Sequence, residues 1–168
     1  MKVFSHYLLI SAMAFSLVAC TAKPDTSPAT ETLSDDQLAL HALTDFLENL
    51  HTGKYDKAAQ LYGGTYEIMI NHNPEILPED HVALLRNACT INGAQCLEMR
   101  SATQDEKISG SQFIFSVEFQ NADGSLFVLG PCCGENDADF QSRSSFLFEV
   151  SKSTGGTFLV MDMVPYAP

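Results

Sequence analysis

FIFSVEFQ, residues 113–120, sets large apolar side chains at Phe113, Phe115, Val117 and Phe119 against Ile114, Ser116, Glu118 and Gln120. Residues two apart in an extended chain share a face, so this stretch predicts a strand with one side buried and the other largely wet. Downstream, NADGS at residues 121–125 supplies a hairpin turn before the apolar LFVLG, and Phe146, Phe148 and Val150 alternate in the same way. After the turn KSTGG, residues 158–164 predict a last apolar strand. Residues 96–104 predict a first one ahead of FIFSVEFQ. The second half of the chain therefore reads as a meander of antiparallel strands.

Upstream the period is different. Ser34-Asp35-Asp36-Gln37 fits a capping box, in which the serine and the glutamine satisfy each other's orphan backbone amides. Leu40, Leu43, Leu47 and Leu50, with Ala39 and Phe46 beside them, then recur every three or four residues until Gly53. KYDKAAQLYGG predicts a short second helix with Tyr55, Ala59 and Tyr62 on one side, ended by the pair Gly63-Gly64. Pro78, Glu79 and Asp80 open a third, running through Val82, Leu85 and Ala88 to about Cys89. Residues 65–77 read as a connection with a partial helical turn. Helices first and strands afterwards predict an α+β domain over residues 33–168, with the helices packed on one face of an antiparallel sheet.

The first 32 residues have another composition. Lys2 precedes a continuous apolar segment at residues 7–18, YLLISAMAFSLV, too short for a stable membrane span and suited to an export signal. TAKPDTSPATET, residues 21–32, holds two prolines and no large apolar side chain, which predicts a flexible tether. Fully extended it would reach roughly 40 Å, and as a coil nearer 20 Å.

The whole chain has 9 Lys and Arg against 21 Asp and Glu, a net charge of −12 with neutral histidines. Residues 1–19 hold Lys2 and no acid, so the remainder carries eight basic residues against 21 acidic, a net of −13. A nucleic acid would be repelled, and no basic patch is present to hold a membrane surface.

Two resemblances follow from quoted residues. LVAC at residues 17–20 resembles the lipobox of bacterial lipoproteins, which implies cleavage after Ala19 and a diacylglycerol on the Cys20 thiol. Residues 1–19 are then a lipoprotein signal peptide, and residues 20–32 a lipidated cysteine and tether. By the same resemblance, Thr21 after the cysteine implies export to an outer membrane where the source has one. ALTDFLENLHTGKYDKAAQLYGG, residues 42–64, resembles the opening of nuclear transport factor 2-like domains. That likeness implies helices on a strongly curved sheet enclosing a cone-shaped pocket, used by some members for acid/base catalysis and by others for binding or assembly. Cystatin-like domains share the helix-on-sheet outline.

Asp162, inside FLVMDMV, is the acid that strict alternation sets on the face of Phe158, Val160 and Val164. Either face could be the inner one, and burial would raise its pKa and make it a base, whereas a solvated strand end or a pair with Arg100 would leave it structural. Tyr62, Tyr66, His72 and Arg100 are the other candidate pocket groups. His41, His51, His72 and His81 have no convergent metal spacing, and no nucleophile elbow or phosphate loop is present. GENDADF at residues 134–140 reads as a solvated acidic turn rather than a calcium loop, since its ligand order departs from the EF-hand.

Export makes disulfides of Cys89, Cys96, Cys132 and Cys133, with three possible connectivities. Adjacency of Cys132 and Cys133 favours separate bonds from each to Cys89 or Cys96. A local Cys89–Cys96 bridge with a vicinal bond is the alternative. The sequence thus predicts a lipid-anchored envelope protein, bound to the membrane through Cys20. Its domain is expected to be a non-catalytic module for a small ligand or an envelope protein, without cofactor, metal or nucleic acid. The alternative is a pocket enzyme of isomerase or hydratase type.

Overall fold

Ser34 starts the helical layer as its box predicts, its backbone amide donating to Gln37 Oε1 at 2.9 Å. The structure is a computed structural model that describes residues 33–130 and 142–167. The leader, Cys20, the tether, and the segment holding Cys132, Cys133 and the acidic run 134–140 lie outside the described residues.

α1 (Asp35–His51) buries Ala39, Ala42, Leu43, Phe46, Leu47 and Leu50 along one side. It ends where Gly53 takes φ 72°, with Lys54 N–H donating to Asn49 O at 2.8 Å and Gly53 N–H to Leu50 O at 3.2 Å. That pair of bonds satisfies two of the last free carbonyls, and glycine adopts the required conformation without strain. α2 (Tyr55–Leu61) follows, then α3 (Glu67–His72) and α4 (His81–Thr90). Asp80 caps α4, its Oδ1 accepting from Ala83 N–H at 3.0 Å.

The sheet is antiparallel throughout, in the order β1 (Glu98–Ser109), β2 (Gln112–Gln120), β3 (Ser145–Lys152), β4 (Phe158–Val160). Register sets Phe113 opposite Val150, Phe115 opposite Phe148 and Val117 opposite Phe146. Those side chains are buried beneath α1, which lies across all four strands. With Phe46, Leu43, Leu47, Leu84 and Leu85 they form one continuous core. The α+β class read from the sequence is the observed one.

Several elements differ from expectation. β1 begins two residues later and runs five further than predicted, because most of it is exposed and polar and gives no alternation to read. Three register shifts interrupt its pairing with β2, at Met99/Ser101, Gln104/Glu106 and Lys107/Ser109. Residues 67–72 form a complete helix instead of a partial turn. Residues 126–130 form isolated bridges, Leu126 to Gln120 and Leu129 to Arg143, rather than a strand. β4 is three residues long.

The glycine pair after α2 has a different role from helix termination. A Cβ on Gly63 would stand 2.9 Å from the Leu159 Cβ, and one on Gly64 would strike the Met161 carbonyl and the Tyr62 ring. These glycines let the chain lie against the last strand, where Gly63 N–H donates to Val160 O at 2.9 Å. Tyr62 forms a parallel bridge with Val160, covering that edge of the sheet.

A disulfide joins Cys89 at the end of α4 to Cys96 just before β1, with Cα atoms 5.5 Å apart. This corrects the favoured pairing of both residues with Cys132 and Cys133. Adjacency constrained only that second pair. The chain turns back within seven residues of Cys89, at Gly93 with φ 85°, and brings Cys96 into reach.

Candidate functional site

Tyr62 and Tyr66 meet at the junction of α2, α3 and β4. Tyr62 is 8% exposed, stacks on Phe46 with centroids 5.7 Å apart, and donates its hydroxyl to Thr65 O at 3.0 Å. Tyr66 stands edge-on to it at 5.0 Å and stacks on His81 at 3.9 Å. The Tyr66 hydroxyl oxygen is buried and, among the described residues, has no hydrogen-bond partner. Burial pushes both phenols up to about 12, and for Tyr62 the neighbouring Tyr66, Tyr166 and Asp162 add to the shift. Tyr166 is raised by burial too. At neutral pH all three are protonated hydroxyls that donate or accept hydrogen bonds and do not serve as bases.

The other three candidates are exposed, Asp162 near enough to Tyr62 for its charge to be felt there. Asp162 is exposed on a bend that follows β4, where Oδ2 accepts from Glu149 N–H at 2.6 Å. Met161 N–H donates to Glu149 O at 2.9 Å, so the aspartate side chain replaces the next ladder acceptor and the alternation breaks there. Phe158, Val160 and Val164 stay buried while Asp162 turns out. Arg100 is exposed on β1 and donates to Gly124 O at 3.3 Å. His72 is exposed at the end of α3. The structure therefore brings together Tyr62 and Tyr66 of the five, and adds His81 and Tyr166.

A buried polar node was not foreseen. Asn73, 2% exposed, donates through Nδ2 to Met69 O at 2.7 Å and to Asn92 Oδ1 at 3.0 Å, and its Oδ1 accepts from Asn87 Nδ2 at 2.9 Å. It fastens the end of α3 to α4 and to the turn before β1. Asparagines in loops are common, so no sequence signal marked this one as interior.

Among the described residues, open grooves flank the core, and two of them are well defined. One, of about 420 Å³, runs between α1 and the start of β1 and is lined by Thr44, Glu48, His51, Thr52, Glu98 and Met99. His51 Nδ1 lies 3.1 Å from the Cys96 carbonyl, which fixes the proton on that nitrogen when the bond forms. The other, of about 380 Å³, lies where β3 begins, between Arg143 and Leu147 on one side and Met163 and Pro165 on the other. Among the described residues, no cluster of three or more histidine, cysteine or acidic side chains could hold a metal ion. No described helix is long and apolar enough to cross a membrane. No protein-family model matches the chain, and no curated protein matches it.

Proposed function

We propose that the chain is an exported lipoprotein, anchored to the cell envelope through Cys20, whose folded part is a non-catalytic binding or interaction module of nuclear transport factor 2-like form. The helices on one face of an antiparallel sheet support that form, as do the register shifts in β1, because each extra residue bends and twists its strand. Four helices, rather than one laid on a sheet, favour it over a cystatin-like relation.

The observation that carries the non-catalytic reading is the packing between α1 and the sheet. Phe46, Phe113, Phe115, Phe119 and Phe148 fill that space with at most 1% exposure each, where a cone-shaped pocket would otherwise lie. An isomerase or hydratase needs a general base beside its substrate. Asp162 is engaged by a backbone amide on the surface, and Tyr62 and Tyr66 are held protonated. These placements favour binding over catalysis.

Cell fractionation with a palmitate analogue tests the anchor. Cys20→Ala is expected to abolish labelling and membrane association while the domain stays folded. Unchanged labelling would sink the lipoprotein reading. Cross-linking in the native envelope tests the module. A defined partner or ligand is expected, and turnover of a substrate that depends on Tyr62 or Tyr66 would reverse the ranking in favour of an enzyme.

A further inference from the structure

We propose that Asn92 is a self-modifying residue, whose conversion to aspartate or isoaspartate is held back by the fold and released when the loop between Cys89 and Cys96 opens. The proposal is independent of what the domain binds. Asn92-Gly93 is the one Asn-Gly pair in the chain. With no Cβ on the second residue, its backbone nitrogen meets little hindrance in closing on the asparagine carboxamide. Base removes the Gly93 N–H proton, the nitrogen attacks Asn92 Cγ, and the Cγ–Nδ2 bond breaks to release ammonia. Water then opens the five-membered imide. Cleavage of its bond to Cγ leaves aspartate, and cleavage at the backbone carbonyl carbon leaves isoaspartate. One water is consumed for each ammonia released, and nothing is oxidised or reduced.

The fold holds both residues of the pair. Asn92 N–H donates to Asn87 O at 2.9 Å, and Asn92 Oδ1 accepts at 3.0 Å from Nδ2 of Asn73, a side chain buried to 2% exposure. Gly93 takes φ 85°, and its carbonyl accepts from Ala167 N–H at 3.0 Å and from Gln95 Nε2 at 2.9 Å. Closing the imide turns the carboxamide onto its own backbone and imposes the dihedral of the ring on Asn92. The bond to Asn73 is lost in that step, and the anchors on either side resist it. Asn92 is half-buried, so water reaches it once the loop loosens.

Either product leaves a carboxylate just beyond the end of α4, where the last carbonyls already carry partial negative charge. Isoaspartate also lengthens the backbone by one carbon between the anchors at Asn87 and Ala167. The loop then no longer closes as it did, and the change records irreversibly that it has been open.

Peptide mapping of the full chain, disulfide intact, during incubation at mildly alkaline pH tests the proposal. The Asn92 peptide is expected to keep its mass while the reduced, denatured chain gains that of an amide-to-acid exchange, in two separable isomers. Asn92→Gln should abolish the gain, since its longer side chain closes a less favourable ring. Asn73→Ala should speed conversion in the native chain about tenfold. Gln95→Ala removes one bond to Gly93 and leaves the Asn73 node intact, so it should speed conversion about threefold. Phe115→Ala weakens the core by more and should speed it less, because the release is an opening of the loop and not of the domain.

Equal rates in the native and denatured chains would overturn the proposal, as would no gain in either. So would a native rate raised most by Phe115→Ala, with the other variants following their loss of global stability, since release would then be complete unfolding.

Discussion

The two faces of the sheet are made from alternate residues of the same strands, yet they are held by different physics. On the helix side Phe113, Phe115, Val117, Phe119, Phe148 and Val150 are at most 1% exposed and interlock with α1. On the other side hydrogen bonds run between strands: Ser101 to Glu118 at 3.1 Å, Gln112 to Glu149 at 2.8 Å, and Ser116 with Ser145. Burial of apolar area gives the first face its strength, while the second exchanges bonds to water for bonds to protein at small net gain. One face therefore sets stability, and the other is available for change.

The largest test of this contrast is Phe115→Ala, which should cost about 3–5 kcal/mol in chemical denaturation, since the cavity it leaves is enclosed. A loss below about 1 kcal/mol would break the comparison.

Reduction of Cys89–Cys96 comes next. It closes a short loop that links the helical layer to the start of β1, and its opening should cost about 2–3 kcal/mol in the chain-entropy picture. Thiol mapping should find these two joined to each other. Bonds from either to Cys132 or Cys133 would contradict the fold described here.

Asn73→Ala sharpens the contrast from within the helical layer, because it strands the half-buried Asn87 and Asn92 amides as well as the Met69 carbonyl. A loss of about 1–3 kcal/mol is expected. Gln112→Ala, which removes a hydrogen bond of similar length on the open face, should stay within about 0.5 kcal/mol.

Alkaline titration offers a fourth comparison. Tyr62 and Tyr66 release their protons near 10 in the unfolded chain and only at about 12 in the native one. Above pH 10 the unfolded state therefore binds fewer protons, so stability is fully present below that pH and is lost as pH rises towards 12. Ultraviolet absorbance should show both phenols ionising late, and Tyr62→Phe with Tyr66→Phe should flatten the decline. The smallest effect is Leu147→Ser on the open face, expected to change stability by no more than about 0.5 kcal/mol.

The filled face was legible because its signal is local: Phe113 to Phe119 alternate, and Leu43, Phe46, Leu47 and Leu50 recur at helical spacing. The capping box at Ser34 and the stop at Gly53 were legible for the same reason. β1 was only partly so, since an edge strand wet on most of its length carries no buried stripe. Of the five candidate site residues, Tyr62 and Tyr66 come together, and burial explains both. Asp162 was read on a straight strand, and the bend that turns it outward comes from its own bond to Glu149. The roles of Gly63, Gly64 and Asn73 depend on partners from 14 to about 100 positions away, which no short window contains.

The seam formed by Tyr62 with Val160, and by Ala94 with Tyr166, has a consequence for timing. α1 and α2 can form while the chain is still emerging, but the edge that covers Tyr62 does not exist until residue 160 has appeared. The turn at Gly93 likewise waits for Ala167, whose N–H donates to the Gly93 carbonyl at 3.0 Å. Contacts across such separations are slow to form, because the loop they close must first lose its freedom. A chain with this order of closure stays open through most of its synthesis. Were the chain exported as proposed above, a translocation pore that passes unfolded polypeptide would find it still threadable.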